Sequence, residues 1–295
     1  MKFSTTSILL AAALGVSAHP SGHAHKRAHN SAVEARGEFV IANKPVDAPA
    51  SSAAPVASPT PTPAAPAPSA KPTGSAGGQG SGPSVYTPFC SGSNSKRATA
   101  AEIAYKGNVG AGGAYGCNIM AVQSNLVDKY QYTMVFENAG GDSECFCWNK
   151  IGPDGGINGF FNGNEAMKFK LPAGGKQVVA VDSNSQVGCA CGTNGPELTP
   201  IGQFASTWVE ADFANLSNRG WSGADASSIV AAAAGMNIPG LQVCGTGAAA
   251  GTCSTIYPGG KGDNAFVGGT EYEDGLGLNL APGKTSITVI VDFQG

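Results

Sequence analysis

Histidine is missing beyond position 29, and cysteine is missing before position 90. The first absence excludes Ser-His-Asp and Cys-His catalysis from most of the chain, and with them any histidine-ligated zinc or copper site there. Charge is also scarce, at 13% of residues, and from position 85 onward 17 Asp and Glu stand against 11 Lys and Arg. An acidic, lysine-poor surface argues against nucleic acid and against anionic membranes as partners. Apolar runs are short. The longest near the start, Ile8 to Leu14, falls well below the roughly 20 residues that span a bilayer. Glycine-rich stretches such as Gly110 to Gly116 lack the Gly-Lys-Ser/Thr ending of a phosphate loop.

What is present sorts the chain into two materials. Lys2, the apolar run and Val16-Ser17-Ala18 have the three parts of a secretory signal peptide, expected to occupy residues 1–18. Residues 19–44 then read as a removable pro-segment with a dibasic site at Lys26-Arg27 and all four histidines. An N-terminal His19 would supply half of a copper brace, but such a brace needs a second histidine from the folded core, and residues 89–295 contain none. Residues 45–88 are almost entirely Pro, Ala, Ser, Thr and Gly, a composition that cannot bury enough apolar surface to order itself. They are expected to form a disordered stalk. Residues 89–295 are long enough for one domain with a core of its own.

Short alternating runs recur in that domain between Gly, Asn and Pro signals. Tyr132–Phe136, Met167–Leu171, Gln177–Val181, Trp208–Phe213 and Thr285–Phe293 are the clearest, and they predict a mainly β, disulfide-stapled sandwich. Ala224 to Ala234 is expected to be the one sizeable helix. Eight cysteines in an exported domain read as a disulfide framework. Cys145-Phe-Cys147 and Cys189-Ala-Cys191 each project two sulfurs to one strand face, so the two pairs are expected to bond each other. Cys244 is expected to join Cys253 across a glycine-rich loop, and Cys90 to join Cys117. A four-thiolate metal site is the competing reading, and an oxidising compartment disfavours it. No metal and no cofactor are expected.

With histidine gone, carboxylates are the chemical candidates. Glu210 and Asp212 share a strand face with Trp208, while Val209, Ala211 and Phe213 point inward, and Asp225 follows soon after. Carboxylates beside aromatics suit sugar binding or glycoside hydrolysis, whereas acidic residues on a wet strand face simply confer solubility. Trp148, Trp208 and Trp221 are the candidates for stacking on sugar rings, with burial in the core as the alternative. Asn215-Leu-Ser217 is the single N-glycosylation sequon, which places Asn215 on an accessible surface.

Several motifs carry a family resemblance. Tyr105-Lys-Gly-Asn-Val-Gly110, Cys117-Asn-Ile119, the block WNKIGPDGG from Trp148 to Gly156, Trp208–Phe213 and Gly220-Trp-Ser-Gly223 resemble the Asp f 4 fungal allergen family over roughly residues 100 to 258. The resemblance implies a secreted fungal antigen bound by host IgE, extracellular or wall-associated, with no established catalytic activity. A fainter similarity, through Phe136-Glu-Asn138, Ala211-Asp-Phe213 and Asn237-Ile-Pro239, reaches the thaumatin-like fold. It implies an acidic cleft that engages wall β-glucan, with Asp212 and Asp225 at the matching positions. A non-enzymatic glucan-binding antigen is therefore the leading expectation. A weak glycoside hydrolase using Glu210 or Asp212 with Asp225, and a structural or host-interacting protein, are the alternatives.

Overall fold

The computed structural model describes residues 80–90, 107–110 and 114–295. The expected signal peptide, the pro-segment and most of the expected stalk lie outside the described residues. Strands are numbered in chain order. One sheet runs β1 (Ile119–Val122), β5 (Lys176–Val181), β2 (Tyr132–Asn138), β15 (Thr285–Val291), β11 (Leu241–Gly245), β12 (Cys253–Ile256) and β13 (Gly262–Asp263). The other runs β14 (Leu278–Leu280), β10 (Trp221–Ser227), β9 (Trp208–Asn215), β6 (Ser185–Gly192), β3 (Ser143–Asn149) and β4 (Met167–Leu171). A two-stranded hairpin, β7 (Glu197–Leu198) with β8 (Phe204–Ala205), stands apart. All these pairings are antiparallel except β15 with β2, which is parallel.

The sheets face each other over one apolar layer, as alternation predicts. Tyr132, Met134 and Phe136 of β2 meet Val209, Ala211 and Phe213 of β9, with Tyr132 on Phe213 and Phe136 edge-on to Phe169 of β4. The cysteines of β3 and β6 belong to this layer. Cys145 sits opposite Cys191 and Cys147 opposite Cys189, and each pair is bonded. The two staples are successive rungs of one strand pair, so they lock the register of the second sheet. Cys244 bonds Cys253 across β11 and β12, and Cys90 bonds Cys117. All eight sulfurs are thus engaged, which rules out the four-thiolate metal site.

Two expectations need correction. Ala224 to Ala234 is not one helix: Ala224–Ser227 belongs to β10 and pairs with β9, and the helix α1 spans only Ile229–Ala233. The small side chains Ala224 and Ala226 fit the space between sheets, and that packing outweighs alanine's helix preference. The stalk also ends earlier than composition suggests. Residues 80–88 lie along the first sheet, where Gln177 takes hydrogen bonds from the Ser81 amide (2.6 Å) and hydroxyl (2.8 Å), and the Gln123 amide donates to Pro83. The Tyr130 hydroxyl donates to the Thr87 carbonyl at 2.8 Å, and Tyr86 and Phe89 pack on the Tyr130 ring. Cys90 then fastens this strap to Cys117.

Candidate functional site

The candidate carboxylates lie on the outer face of the second sheet, on the side away from the disulfides. Strand register arranges that face in rows. Trp148 of β3 sits opposite Gly188 of β6, Gly188 opposite Glu210 of β9, and Glu210 opposite Asp225 of β10. In the next row the Lys150 amide donates to Gln186, Gln186 stands opposite Asp212, Asp212 opposite Gly223, and Gly223 opposite Asn279 of β14. Lys150 has the same strand parity as Trp148, so it belongs to the same face.

The alternation of β9 puts Val209, Ala211 and Phe213 in the core as expected, but the opposite face is not wet. Glu210 is 3% exposed, Asp212 6% and Asp225 1%. The Trp148–Gly156 block explains much of this cover. After Lys150 the chain turns on itself, with Gly152 accepting from Gly155 and donating to Gly156. The Asp154 carboxylate accepts from the Gly156 amide (2.8 Å) and from Asn158 (2.9 Å). The turn returns to the sheet at Gly159, where a Cβ would stand 1.7 Å from the Asn149 carbonyl, so only glycine fits. Phe160 and Phe161 follow and are laid over the sheet. Phe160 packs on Trp208, Phe204 stacks on Trp148, and Trp148 meets Trp208 edge-on at 5.1 Å. Gly188 leaves the space that the Trp148 indole fills, since a Cβ there would lie 2.6 Å from its Nε1.

Trp148 and Trp208 are therefore core of a second apolar cluster, covered by Phe160 and Phe204 rather than open to a ligand. Trp221, at the start of β10, is half-buried. Asn215 also departs from expectation. It is 4% exposed; its Oδ1 accepts from the Ser217 and Asn218 amides, and its Nδ2 donates to Asp212 at 2.5 Å. The sequon forms a cap on the turn after β9, so its amide nitrogen points inward.

Burial sets the electrostatics. Desolvation pushes the Glu210 carboxyl up to about 8 and Asp212 to about 7, against the opposing pull of the Lys150 charge on both and of the Asn215 hydrogen bond on Asp212. Asp225 is raised well above the ordinary carboxylate range by burial first and by Glu210 next. Burial also lowers Lys150 to about 8, even though Asp212 and Glu210 favour its charged form. Lys150 and Asn279 went unnoticed in the sequence, although the alternation Phe146, Trp148, Lys150 was available to place the lysine. Among the described residues no group of three or more His, Cys, Asp or Glu is arranged to hold a metal ion, and no helix is long and apolar enough to cross a membrane. A small cavity lined by Cys189, Cys191, Val209, Leu241 and Asp292 opens on the core side of the sheet, away from these carboxylates.

The molecule is a two-sheet β-sandwich with two disulfides joining neighbouring strands of its second sheet and a buried carboxyl cluster on that sheet's far face. The model of the Allergen Asp f 4-like domain matches residues 117–291, and the chain belongs to that family. A curated relative, Allergen Asp f 4 of Aspergillus fumigatus, is 38% identical over 198 residues, which cover 65% of this chain and 59% of the relative. The match thus spans less than two thirds of that relative's length. Among solved structures, the protein elicitor MoHrip2 from Magnaporthe oryzae aligns with a TM-score of 0.32 and 12% identity, over 55% of this chain and 99% of the elicitor.

Proposed function

We propose that this protein is a secreted fungal antigen that works by binding rather than by catalysis, with cell-wall β-glucan as its ligand class. The observation that carries this reading is the placement of the carboxyls. Glycoside hydrolysis needs two carboxyls about 5–9.5 Å apart, flanking a bond that a sugar can reach. Glu210 and Asp225 instead sit directly opposite each other on paired strands, 3% and 1% exposed, where a sugar has no access to them.

Binding falls to the outer surface. Tyr272 is 53% exposed beside the exposed Glu273 and Asp274 and the half-buried Glu271, and Trp221 is half-buried near the opposite end of β14. Aromatic faces beside carboxylates suit the apolar faces and hydroxyls of a glucan. The signal sequence and the oxidised cysteines support an extracellular location. The relative's name, an allergen, supports recognition by host IgE, for which a rigid stapled sandwich offers a durable surface.

A polysaccharide pulldown with insoluble β-glucan tests the ligand class. Retention that weakens in Tyr272→Ala or Trp221→Ala supports it, and no retention of the native protein sinks it. Sugar release from glucan that disappears in Asp225→Asn would refute the non-catalytic role. Immunoassay with sera from sensitised donors tests the antigen reading separately.

A further inference from the structure

Asp225 is one of the most deeply buried polar groups in the domain, yet neither of its oxygens accepts a hydrogen bond from a donor group among the described residues. A buried carboxylate without donors is among the costliest arrangements a fold can hold. The group that does face it is another carboxyl, Glu210, directly opposite in register on the neighbouring strand, a pairing that brings side chains of one face together. Two ionised carboxylates only accept, so this contact is a hydrogen bond only when one of the two carries a proton.

We propose that Glu210 and Asp225 hold one proton between them, and that this proton is a latch keeping the outer face of the second sheet closed. With the proton in place, one carboxyl donates to the other and the pair carries a single negative charge. Without it, two like charges face each other in a space that water does not reach.

At Asp225 the surroundings give no substitute for the proton among the described residues. From β9, Asp212 adds negative charge, and its Oδ1 has no hydrogen-bond partner of its own. From β14 and β6, Asn279 and Gly188 bring no charge. Where the chain enters β14, Gly277 packs against the stem of Asp225, where an added Cβ would stand 2.8 Å from the Asp225 Cβ, and it brings no charge. From the covering turn, Asp154 is exposed and hydrogen-bonded locally. Lys150 is the buried cation on this face, Lys168 and Lys170 of β4 being more exposed at its far edge, and its own proton leaves in the same alkaline range as that of Glu210. Its charge therefore fades as the carboxyls gain theirs. Trp208, two residues before Glu210 on the same face, stands where loosening would first admit water.

The test follows tryptophan emission and near-UV circular dichroism of the full-length secreted protein from acid to alkaline pH. A reversible red shift of the emission, with loss of the aromatic dichroism, is expected in alkali while the far-UV signal persists. Asp225→Asn keeps the shape, donates to Glu210 and cannot ionise, so the shift should vanish in that variant and persist in Asp212→Asn. An alkaline transition of unchanged midpoint in Asp225→Asn would overturn the latch, as would its absence in the native protein. Infrared spectroscopy covers a variant that fails to fold. A protonated-carboxyl band in the native protein at neutral pH, lost on alkaline titration, supports the shared proton, and absence of the band at neutral pH rejects it.

Discussion

Replacing Gln177 by methionine, a side chain of similar length without polar atoms, isolates what holds the strap to the domain. Gln177 is 1% exposed, and its amide makes five hydrogen bonds. Three join the Ser81 amide, hydroxyl and carbonyl, and two satisfy the carbonyls of Val122 and Val178. The contacts to Ser81 are partly open to water, so their loss is largely offset by hydration and costs about 0.5–1 kcal/mol each. The two carbonyl contacts are buried, and stripping a donor from such a group costs about 1–3 kcal/mol. Methionine's own apolar burial returns part of this, leaving an expected loss of about 2–4 kcal/mol. Much of that loss should appear as local release of Gly80–Pro88, because Cys90–Cys117 still tethers the strap at its far end. Amide hydrogen exchange is the suitable assay. The Ser81 and Gln123 amides should lose protection in Gln177→Met, while the central strands β2 and β15 keep theirs. Unchanged protection at Ser81 and Gln123 would refute the clamp.

Other outcomes follow from the same geometry. Cys145–Cys191 and Cys147–Cys189 close nearly the same loop, with sequence separations of 46 and 42. Replacing either pair by alanine should therefore cost far less than the ~4 kcal/mol that such a loop is worth, and replacing both should cost about that amount, a non-additivity that urea denaturation of the three variants would reveal. Asn215 should carry no glycan in the folded protein when it is expressed through a eukaryotic secretory pathway, so treatment with an N-glycosidase should leave the mass of its peptide unchanged. Stability should also depend on pH in an unusual direction. The folded-state carboxyls of Glu210 and Asp212 are raised, to about 8 and about 7, so the folded state binds more protons than the unfolded chain. Their contribution is complete below the ordinary carboxylate range near pH 4 and is lost as pH rises to about 7–8, at roughly 1.4 kcal/mol per pH unit for each proton. Lys150 is lowered to about 8, so its own contribution runs in the opposite sense above that pH, until the unfolded lysine also loses its proton, while the raised Asp225 continues the loss. Thermal denaturation across pH 4 to 8 should show the midpoint falling, and a rising midpoint would refute the burial of these groups.

Much of this fold is legible in residue pattern, and the limits are instructive. The alternation from Trp208 to Phe213 identifies which side chains enter the core, because strand parity is a local property. Parity cannot tell whether the other side is covered. Here the cover comes from the turn after Lys150, whose return to the sheet depends on the lack of a side chain at Gly159 and Gly188. For that reason Trp148, Trp208 and the carboxyls read as a surface and are an interior. The sulfur bridges on β3 and β6 were accessible because Cys-X-Cys pairs place both sulfurs on one face. The strap was hidden for the opposite reason. Nothing in its Gly, Ser and Pro composition reveals that Gln177, nearly a hundred residues away, holds it. The alanine run misled because β10 needs small residues between sheets, and the same residues favour helix in isolation.

Strand β15 sits in the interior of its sheet, paired in parallel with β2 on one side and antiparallel with β11 on the other. Residues 285–291 are thus the keystone for neighbours that the ribosome releases much earlier. Until they emerge, β2 and β11 each present a bare edge of unpaired amides and carbonyls, an invitation to pair with other chains. The second sheet is under no such constraint, since all of its strands precede β15 and its rungs can oxidise beforehand. Folding of this protein therefore calls for a half-built body to be shielded until one late segment slides into the slot kept for it.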